Sequence, residues 1–181
     1  WFKVQLDWST PKFAHVPMIL GSDGSRLSKR HGALNLLSYR DDGVMPKALL
    51  NYIVRFGWSH GDQEIFSMDD MLKLFELKNI NNSPASFNQE KLEWINQSYI
   101  KTTGIEELVD NLKWHLNQLS INLTNGPDIN EVVESLRGRS KSLVDMAQSC
   151  VMFYNDFEDF ELGQASKVFN LESKLILDDL Y

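Results

Sequence analysis

The sequence predicts a mainly α protein, in which a small α/β piece with a β-hairpin and a basic loop is followed by an α-helical bundle. Three observations predict it. Beyond residue 45, apolar residues recur at the 3.6-residue spacing of amphipathic helices, segment after segment. Capping residues stand where those segments begin. Only one stretch, Phe13 to Leu20, reads as a strand, and it runs into Gly21-Ser22-Asp23-Gly24, a turn composition.

The elements follow in chain order. Pro17 lies inside the apolar stretch and lacks an N–H, so the strand belongs at an edge. Ser25 to Ser28 is expected to return as a short partner strand, and Lys29 to Gly32 as loop. Ala33 to Asp41 carries a weak helical pattern on Leu34, Leu36 and Leu37, which Gly43 breaks. Pro46 to Phe56 is predicted as a helix with Pro46 at its first position and Ala48, Leu49, Tyr52, Ile53 and Phe56 on one face. Gly57 is expected at its C′ position. The loop from Trp58 to Ile65 holds His60, Asp62, Gln63 and Glu64, but adjacent loop residues lack metal-ligand spacing.

Ser67 and Asp70 have the spacing of a capping box, ahead of a stripe of Met68, Met71, Leu72 and Phe75. Lys78 to Ser86 reads as an Asn-rich linker. Asn88 is predicted to cap the next helix, with Phe87 and Leu92 at hydrophobic-staple spacing and Ile95 and Tyr99 turned inward. Thr103 and Glu106 suggest a further capping box, before a seam of Leu108, Val109, Leu112, Leu116 and Leu119. Trp114 and His115 flank that seam as packing or rim residues. Leu123 to Pro127 is a turn. Asp128 to Arg137 is a short helix on Ile129, Val132, Val133 and Leu136, ended by Gly138. Leu143, Met146, Ala147, Cys150, Phe153 and Tyr154 mark a strong amphipathic helix, which makes Cys150 a core residue. After Asn155 the pattern weakens around Phe157 and Phe160, with a final helix expected between Leu171 and Leu180.

Two basic clusters carry the chemistry. After the Gly/Ser turn come Arg26, Lys29 and Arg30 among small polar residues, closed by Gly32. Loop N–H groups and cations that converge in this way suit a polyphosphate, although the same composition fits a basic surface hairpin. The second cluster, Arg137, Arg139 and Lys141, lies between two predicted helices. Helix N-terminal amides could join the cations there in holding a phosphate, or the residues cap helices while their charges face solvent.

Further residues weigh on these alternatives. Pro11 to Gly21, followed by Arg26-Leu27-Ser28-Lys29-Arg30-His31-Gly32, resembles the KMSKS region of a class I aminoacyl-tRNA synthetase, the glutamyl member most. Arg26 stands where that family usually has lysine, which keeps the charge but replaces a compact ammonium by a planar fork. Tyr39-Arg40-Asp41-Asp42-Gly43, Ala48-Leu49-Leu50-Asn51-Tyr52, Gly57-Trp58-Ser59, Ser83 to Phe87 and Lys91-Leu92-Glu93-Trp94-Ile95-Asn96 continue the likeness to bacterial-type glutamyl-tRNA synthetases. It is close over residues 11–100 and looser beyond. Arg139 to Asp145 resembles the Arg-x-Lys-Thr-Leu-x-Glu pattern of that family's anticodon-binding region, with Ser142 for Thr and Asp145 for Glu.

The resemblance implies that residues 1–80 are the end of a catalytic domain with a KMSKS-like loop and stem-contact fold. Residues 81–181 are then a helical anticodon-binding region, incomplete at its C-terminus. It implies a ligase that activates L-glutamate with ATP and Mg²⁺ to glutamyl-adenylate and transfers it to the 3′ end of tRNA(Glu). Lys29 matches the motif's second lysine and is the expected catalytic cation. Arg26, Ser28 and Arg30 support it on ATP, and the backbone of Met18, Ile19 and Leu20 forms the adenine wall. Arg40, Lys47, Arg137, Arg139 and Lys141 are the expected tRNA contacts. The family's His-Ile-Gly-His motif appears nowhere in the chain. With Trp1 rather than Met at its start, the chain reads as a fragment, inactive alone.

Bulk properties are compatible with these expectations. The chain has 181 residues, 43% hydrophobic and 24% charged. No apolar run approaches the ~20 residues that span a bilayer, and no membrane association is expected. The single cysteine rules out an internal disulfide and a cysteine-type zinc site, and fits a reducing cytoplasm. The net charge of −7 argues against indiscriminate nucleic-acid binding. Its distribution is polarised, however: cations outnumber acids from Gly24 to Lys47, and acids dominate after Asn155. A monomer is expected. The competing class is a non-catalytic helical RNA-binding module, which leaves the Leu-Ser-Lys-Arg-His-Gly run unexplained. A glutaminyl enzyme would carry a β-barrel downstream, where this chain reads helical.

Overall fold

The computed structural model describes residues 13–21, 23–28, 35–155 and 173. The described residues form seven α-helices and one two-stranded sheet. The strands are β1 (Ile19–Leu20) and β2 (Ala85–Ser86). The helices are α1 (Leu36–Asp41), α2 (Pro46–Val54), α3 (Met68–Leu74), α4 (Gln89–Thr102), α5 (Ile105–Gln118), α6 (Ile129–Leu136) and α7 (Leu143–Tyr154). Short 3₁₀ turns occupy Leu77–Asn79 and Leu123–Asn125. No described helix is long and apolar enough to cross a membrane. The helix expected between Leu171 and Leu180, the loop around Phe157 and Phe160, and residues 29–34 lie outside the described residues.

Local signals set most helix starts. Pro46 opens α2. The Ser67 hydroxyl accepts from the Asp70 N–H at 3.0 Å, and the Asp70 carboxylate accepts from the Ser67 N–H at 3.2 Å, completing the capping box. Asn88 caps α4 and Ser142 caps α7 through their side chains. At α5 the expected Thr103–Glu106 box does not form. Gly104 is the N-cap, with no side-chain bond, because Thr103 serves as the C-cap of α4.

One hydrophobic cluster unites the molecule. Met45, Ala48, Leu49 and Tyr52 pack with Leu92, Ile95, Tyr99 and Ile100 of α4, and with the buried faces of α5, α6 and α7. Residues on both sides of position 80 therefore share one core. Full burial of each large aliphatic side chain favours folding by about 1.5–3 kcal/mol. Cys150 is fully buried here, and burial pushes its thiol up to about 11. A smaller cluster of Trp58, Phe66 and Met71 sits under α3. Since α3 meets only that small cluster, the rest of its expected stripe is at the surface: Met68, Leu72 and Phe75 are 39%, 74% and 40% exposed. Ile53 and Leu119, also expected inside, are exposed as well.

The β-structure differs from the predicted strand. Only Ile19–Leu20 is strand, while Phe13 and Val16 are about four-fifths exposed. Its ladder partner is not the returning hairpin arm alone. β1 pairs in parallel with β2, Ile19 opposite Ala85 and Leu20 opposite Ser86, inside the segment that reads as a linker. On its other edge the hairpin closes through one antiparallel bridge, Leu20 to Arg26. Gly57 is needed for a reason other than capping. Its φ is not positive, but a Cβ there would stand 2.7 Å from the Pro17 ring, so glycine lets the strand segment lie against the end of α2.

Gly43 meets both demands at once. Its φ is +79°, and a Cβ would lie 2.5 Å from the Val144 amide nitrogen. Gly43→Ala is expected to destabilise the protein by about 2–5 kcal/mol, combining left-handed strain with overpacking. Gly138→Ala, with nothing near its Cβ position, should stay within about 0.5 kcal/mol. Urea unfolding midpoints of the two variants check the contrast.

Candidate functional site

The hairpin is built from its turn outward. The Gly24 N–H donates to the Gly21 carbonyl at 3.1 Å, and the Gly21 N–H to the Ser25 carbonyl at 2.8 Å. The Asp23 carboxylate accepts from the Ser25 N–H at 3.0 Å, which fixes the turn from the inside. The Leu27 N–H then donates to Ile19 at 2.9 Å. Arg26 is thereby placed beside Met18 and Ile19. Together with Val16, Pro17 and Leu27 these residues line an open groove of about 440 Å³.

The carbonyls of Met18 and Leu20 accept from Ala85 and Phe87, and that of Ile19 from Leu27. Met18, Ile19 and Leu20 are therefore bonded on both sides, by residues 85–87 and by the hairpin's returning arm, rather than lying at the edge that Pro17 suggested, and Met18 presents its side chain half-exposed. Ser28 closes the described part of the loop, and Lys29 and Arg30 lie outside the described residues.

The second cluster divides into two kinds of cation. The Arg137 guanidinium is turned inward. Its Nη2 donates to the carbonyls of Ile100, Lys101 and Thr103 at 3.2, 2.8 and 2.6 Å, and its Nη1 to Glu134 at 2.8 Å. A cation on the last carbonyls of α4 satisfies groups that the helix leaves orphaned and complements its dipole. Arg139 and Lys141 are exposed. The Lys141 N–H donates to the Asp145 carboxylate at 2.9 Å, and the Asp145 N–H donates to Ser142 Oγ at 3.1 Å, so the chain leaving this turn is pinned to the start of α7.

The remaining candidates flank α5. Arg40 pairs with Asp41 at 2.9 Å and lies over the Trp114 ring, 4.1 Å from its centroid. Lys47 pairs with Glu107 at 2.7 Å. His115 is buried, and burial, followed by the nearby Arg40, lowers its pKa, with Asp41 opposing.

A backbone contact ties the α1–α2 turn to the second basic cluster. The Leu143 N–H donates to the Gly43 carbonyl at 2.9 Å, which sets the α1–α2 turn against the turn that carries Arg139 and Lys141. Three features of this arrangement were not among the expected site residues. Asn96 and Asn51 are buried asparagines that bond backbone groups of other segments. Glu64 bridges Arg55 at 3.0 Å and Lys91 at 2.9 Å. The hydrogen bonds from Lys91 and Arg55 lower its pKa despite burial, the largest single influence, which acts upward. The available signal was a polar residue on an apolar stripe: Asn96 lies among Leu92, Ile95 and Tyr99, and Asn51 among Ala48 and Tyr52. Among the described residues no three His, Cys, Asp or Glu side chains converge as metal ligands.

Comparison with known proteins places this geometry in context. Residues 1–94 match the family model described as tRNA synthetases class I (E and Q), catalytic domain. The chain is 59% identical over 176 residues to a glutamate–tRNA ligase of Ruthia magnifica subsp. Calyptogena magnifica, covering 97% of this chain and 38% of that protein. It is 52% identical over 170 residues to the glutamate–tRNA ligase of Vesicomyosocius okutanii subsp. Calyptogena okutanii, covering 94% and 37% respectively. Among solved structures, a glutamate tRNA ligase from Elizabethkingia meningosepticum, in complex with its amino acid, is similar at a TM-score of 0.73 and 26% identity. That match covers 99% of this chain and 39% of the other. The chain therefore spans well under half the length of these relatives.

Two outcomes follow from the site's electrostatics. Arg137→Met should cost about 2–3 kcal/mol, because it strips a charged donor from three helix-end carbonyls. Arg139→Ala should leave stability within about 0.5 kcal/mol, with both read from urea midpoints. For His115, the folded pKa lies below its ordinary 6.5. The unfolded chain then binds more protons on acidification, so stability present above pH 6.5 is lost as pH falls through the folded value. His115→Gln should flatten that part of the stability-versus-pH curve, measured by denaturant unfolding between pH 7.5 and 5.

Proposed function

Since the chain belongs to the class I tRNA synthetases of the E and Q type, we propose that it is the phosphate-side and tRNA-binding part of a glutamate–tRNA ligase. The observation that carries the glutamyl assignment is the 59% identity to such a ligase over 97% of this chain, a match that runs through the basic loop. A non-catalytic RNA-binding module gives no reason for that continuity. Because the chain spans 38% of that relative, the reaction is proposed for the full-length protein. We assign that protein to the cytoplasm as a monomer.

The α-carboxylate of L-glutamate attacks the α-phosphorus of ATP, the bond to the bridging oxygen breaks, and pyrophosphate leaves. A ribose hydroxyl at the 3′ end of tRNA(Glu) then attacks the carbonyl carbon of the adenylate and AMP departs. Negative charge grows on the leaving pyrophosphate during the first step. Lys29 is the cation assigned to it, since a charge placed where charge develops stabilises the transition state more than the ground state.

Arg26 lines the groove beside Met18 and Ile19, which suits a role against the nucleotide's phosphates, with Ser28 and Arg30 continuing the loop. The backbone of Met18, Ile19 and Leu20, bonded on both sides, is the wall assigned to adenine. Mg²⁺ neutralises phosphate charge when bound.

Arg40, Lys47, Arg139 and Lys141 are the proposed tRNA contacts. All are on the surface, although Arg40 and Lys47 each share their charge with a carboxylate. Arg137 contributes by holding the end of α4. On this reading residues 1–80 close the catalytic domain and 81–181 form the tRNA-binding helices, the two sharing a core.

In the full-length protein, Lys29→Ala should lower glutamate-dependent pyrophosphate exchange about 100-fold or more while changing tRNA affinity less than about threefold. Exchange rates measured beside tRNA filter binding decide it, and wild-type exchange in the variant would overturn the assignment.

A further inference from the structure

We propose that Asn96 is a positioning residue for tRNA recognition: its buried carboxamide sets the Arg139–Lys141 turn against the α1–α2 turn and so fixes where those cations meet the RNA backbone. The proposal rests on the reading of Arg139 and Lys141 as tRNA contacts.

Asn96 is 1% exposed, on the otherwise apolar face of α4. Its Oδ1 accepts from the Met45 N–H at 2.8 Å. Its Nδ2 donates to the Gly43 carbonyl at 3.2 Å and to the Lys141 carbonyl at 3.0 Å. Both amide protons are spent, on two segments almost a hundred residues apart in the chain. The Leu143 N–H also donates to the Gly43 carbonyl, so one oxygen serves both sides of the joint.

The bonded groups locate the consequence. Lys141 emerges from the residue whose carbonyl Asn96 holds, and Arg139 lies two residues before it. On the opposite side, the α1–α2 turn leads back through α1 toward the nucleotide loop. No exposed side chain makes this joint, because Gly43 has none and Lys141 contributes only its carbonyl. A carboxamide is suited to the task, since it donates two protons and accepts one within a single plane. Phosphate contacts depend on spacing, because an exposed cation displaced by a few ångströms meets solvent-screened rather than direct attraction.

The test uses the full-length protein. Asn96→Asp keeps the acceptor for Met45 and removes both donors. It is expected to raise KM for tRNA about tenfold and to lower the slope of log KM against log salt by about one phosphate contact. kcat and KM for ATP should stay within about twofold. In an Arg139→Ala/Lys141→Ala background, the same change should move KM for tRNA less than about twofold, because the groups it positions are gone.

An unchanged KM for tRNA, an additive effect in that background, or a parallel fall in kcat and ATP binding would overturn the positioning role. If Arg139→Ala/Lys141→Ala alone leaves KM unchanged, the cation assignment itself falls and the proposal falls with it. Should Asn96→Asp fail to fold, hydrogen exchange on the wild-type protein decides. Saturating tRNA should slow exchange of the Met45 and Leu143 amides together, and protection confined to Leu143 and its neighbours would overturn the proposal.

Discussion

Two backbone segments that are distant in sequence, 43–45 and 141, meet at one buried carboxamide. Gly43, Met45 and Lys141 each present a polar main-chain group to the interior where three helices converge, and Asn96 pairs all three. An unpaired buried group of this kind costs about 1–3 kcal/mol, so leaving the joint unmade would cost a large fraction of a typical domain's stability. The close approach of Gly43 to Val144 is possible only because position 43 lacks a Cβ. Shape and hydrogen bonding thus impose the same arrangement, and the core of α2, α4, α5, α6 and α7 is assembled around it.

Asn51 repeats the device one layer away. Its Oδ1 accepts from the Phe66 N–H at 2.8 Å, and its Nδ2 donates to the Glu64 carbonyl at 2.8 Å. This binds the loop before α3 to the back of α2. Tyr99 adds its hydroxyl to the Phe66 carbonyl from α4. The loop before α3 is thus fixed by interior polar groups as well as by surface contacts.

The cations divide between this architecture and the surface. Arg137 satisfies helix-end carbonyls and Arg55 pairs with Glu64, whereas Arg139 and Lys141 project from a turn whose main chain is held by the Asn96 and Asp145 side chains. An acidic protein that binds a polyanion needs such a division. On the proposed reading its attractive charges must be few, placed and exposed, because this chain's net charge of −7 opposes a polyanion.

The sequence by itself determined most of the helices and most of their caps. Ser67 with Asp70, Asn88 and Ser142 cap as their local patterns require, and Cys150 lies in the core at its place in the stripe. Those outcomes depend on residues within one or two turns of each other, so the chain's local periodicity carries them. Only the tertiary structure decided that Ala85–Ser86 pairs beside Ile19–Leu20, that Gly57 yields to Pro17, that Arg137 turns inward and that Asn96 joins two turns. Each depends on which main-chain groups and spaces remain unsatisfied after the helices have packed. That remainder is a property of the assembled core, and no window of sequence contains it.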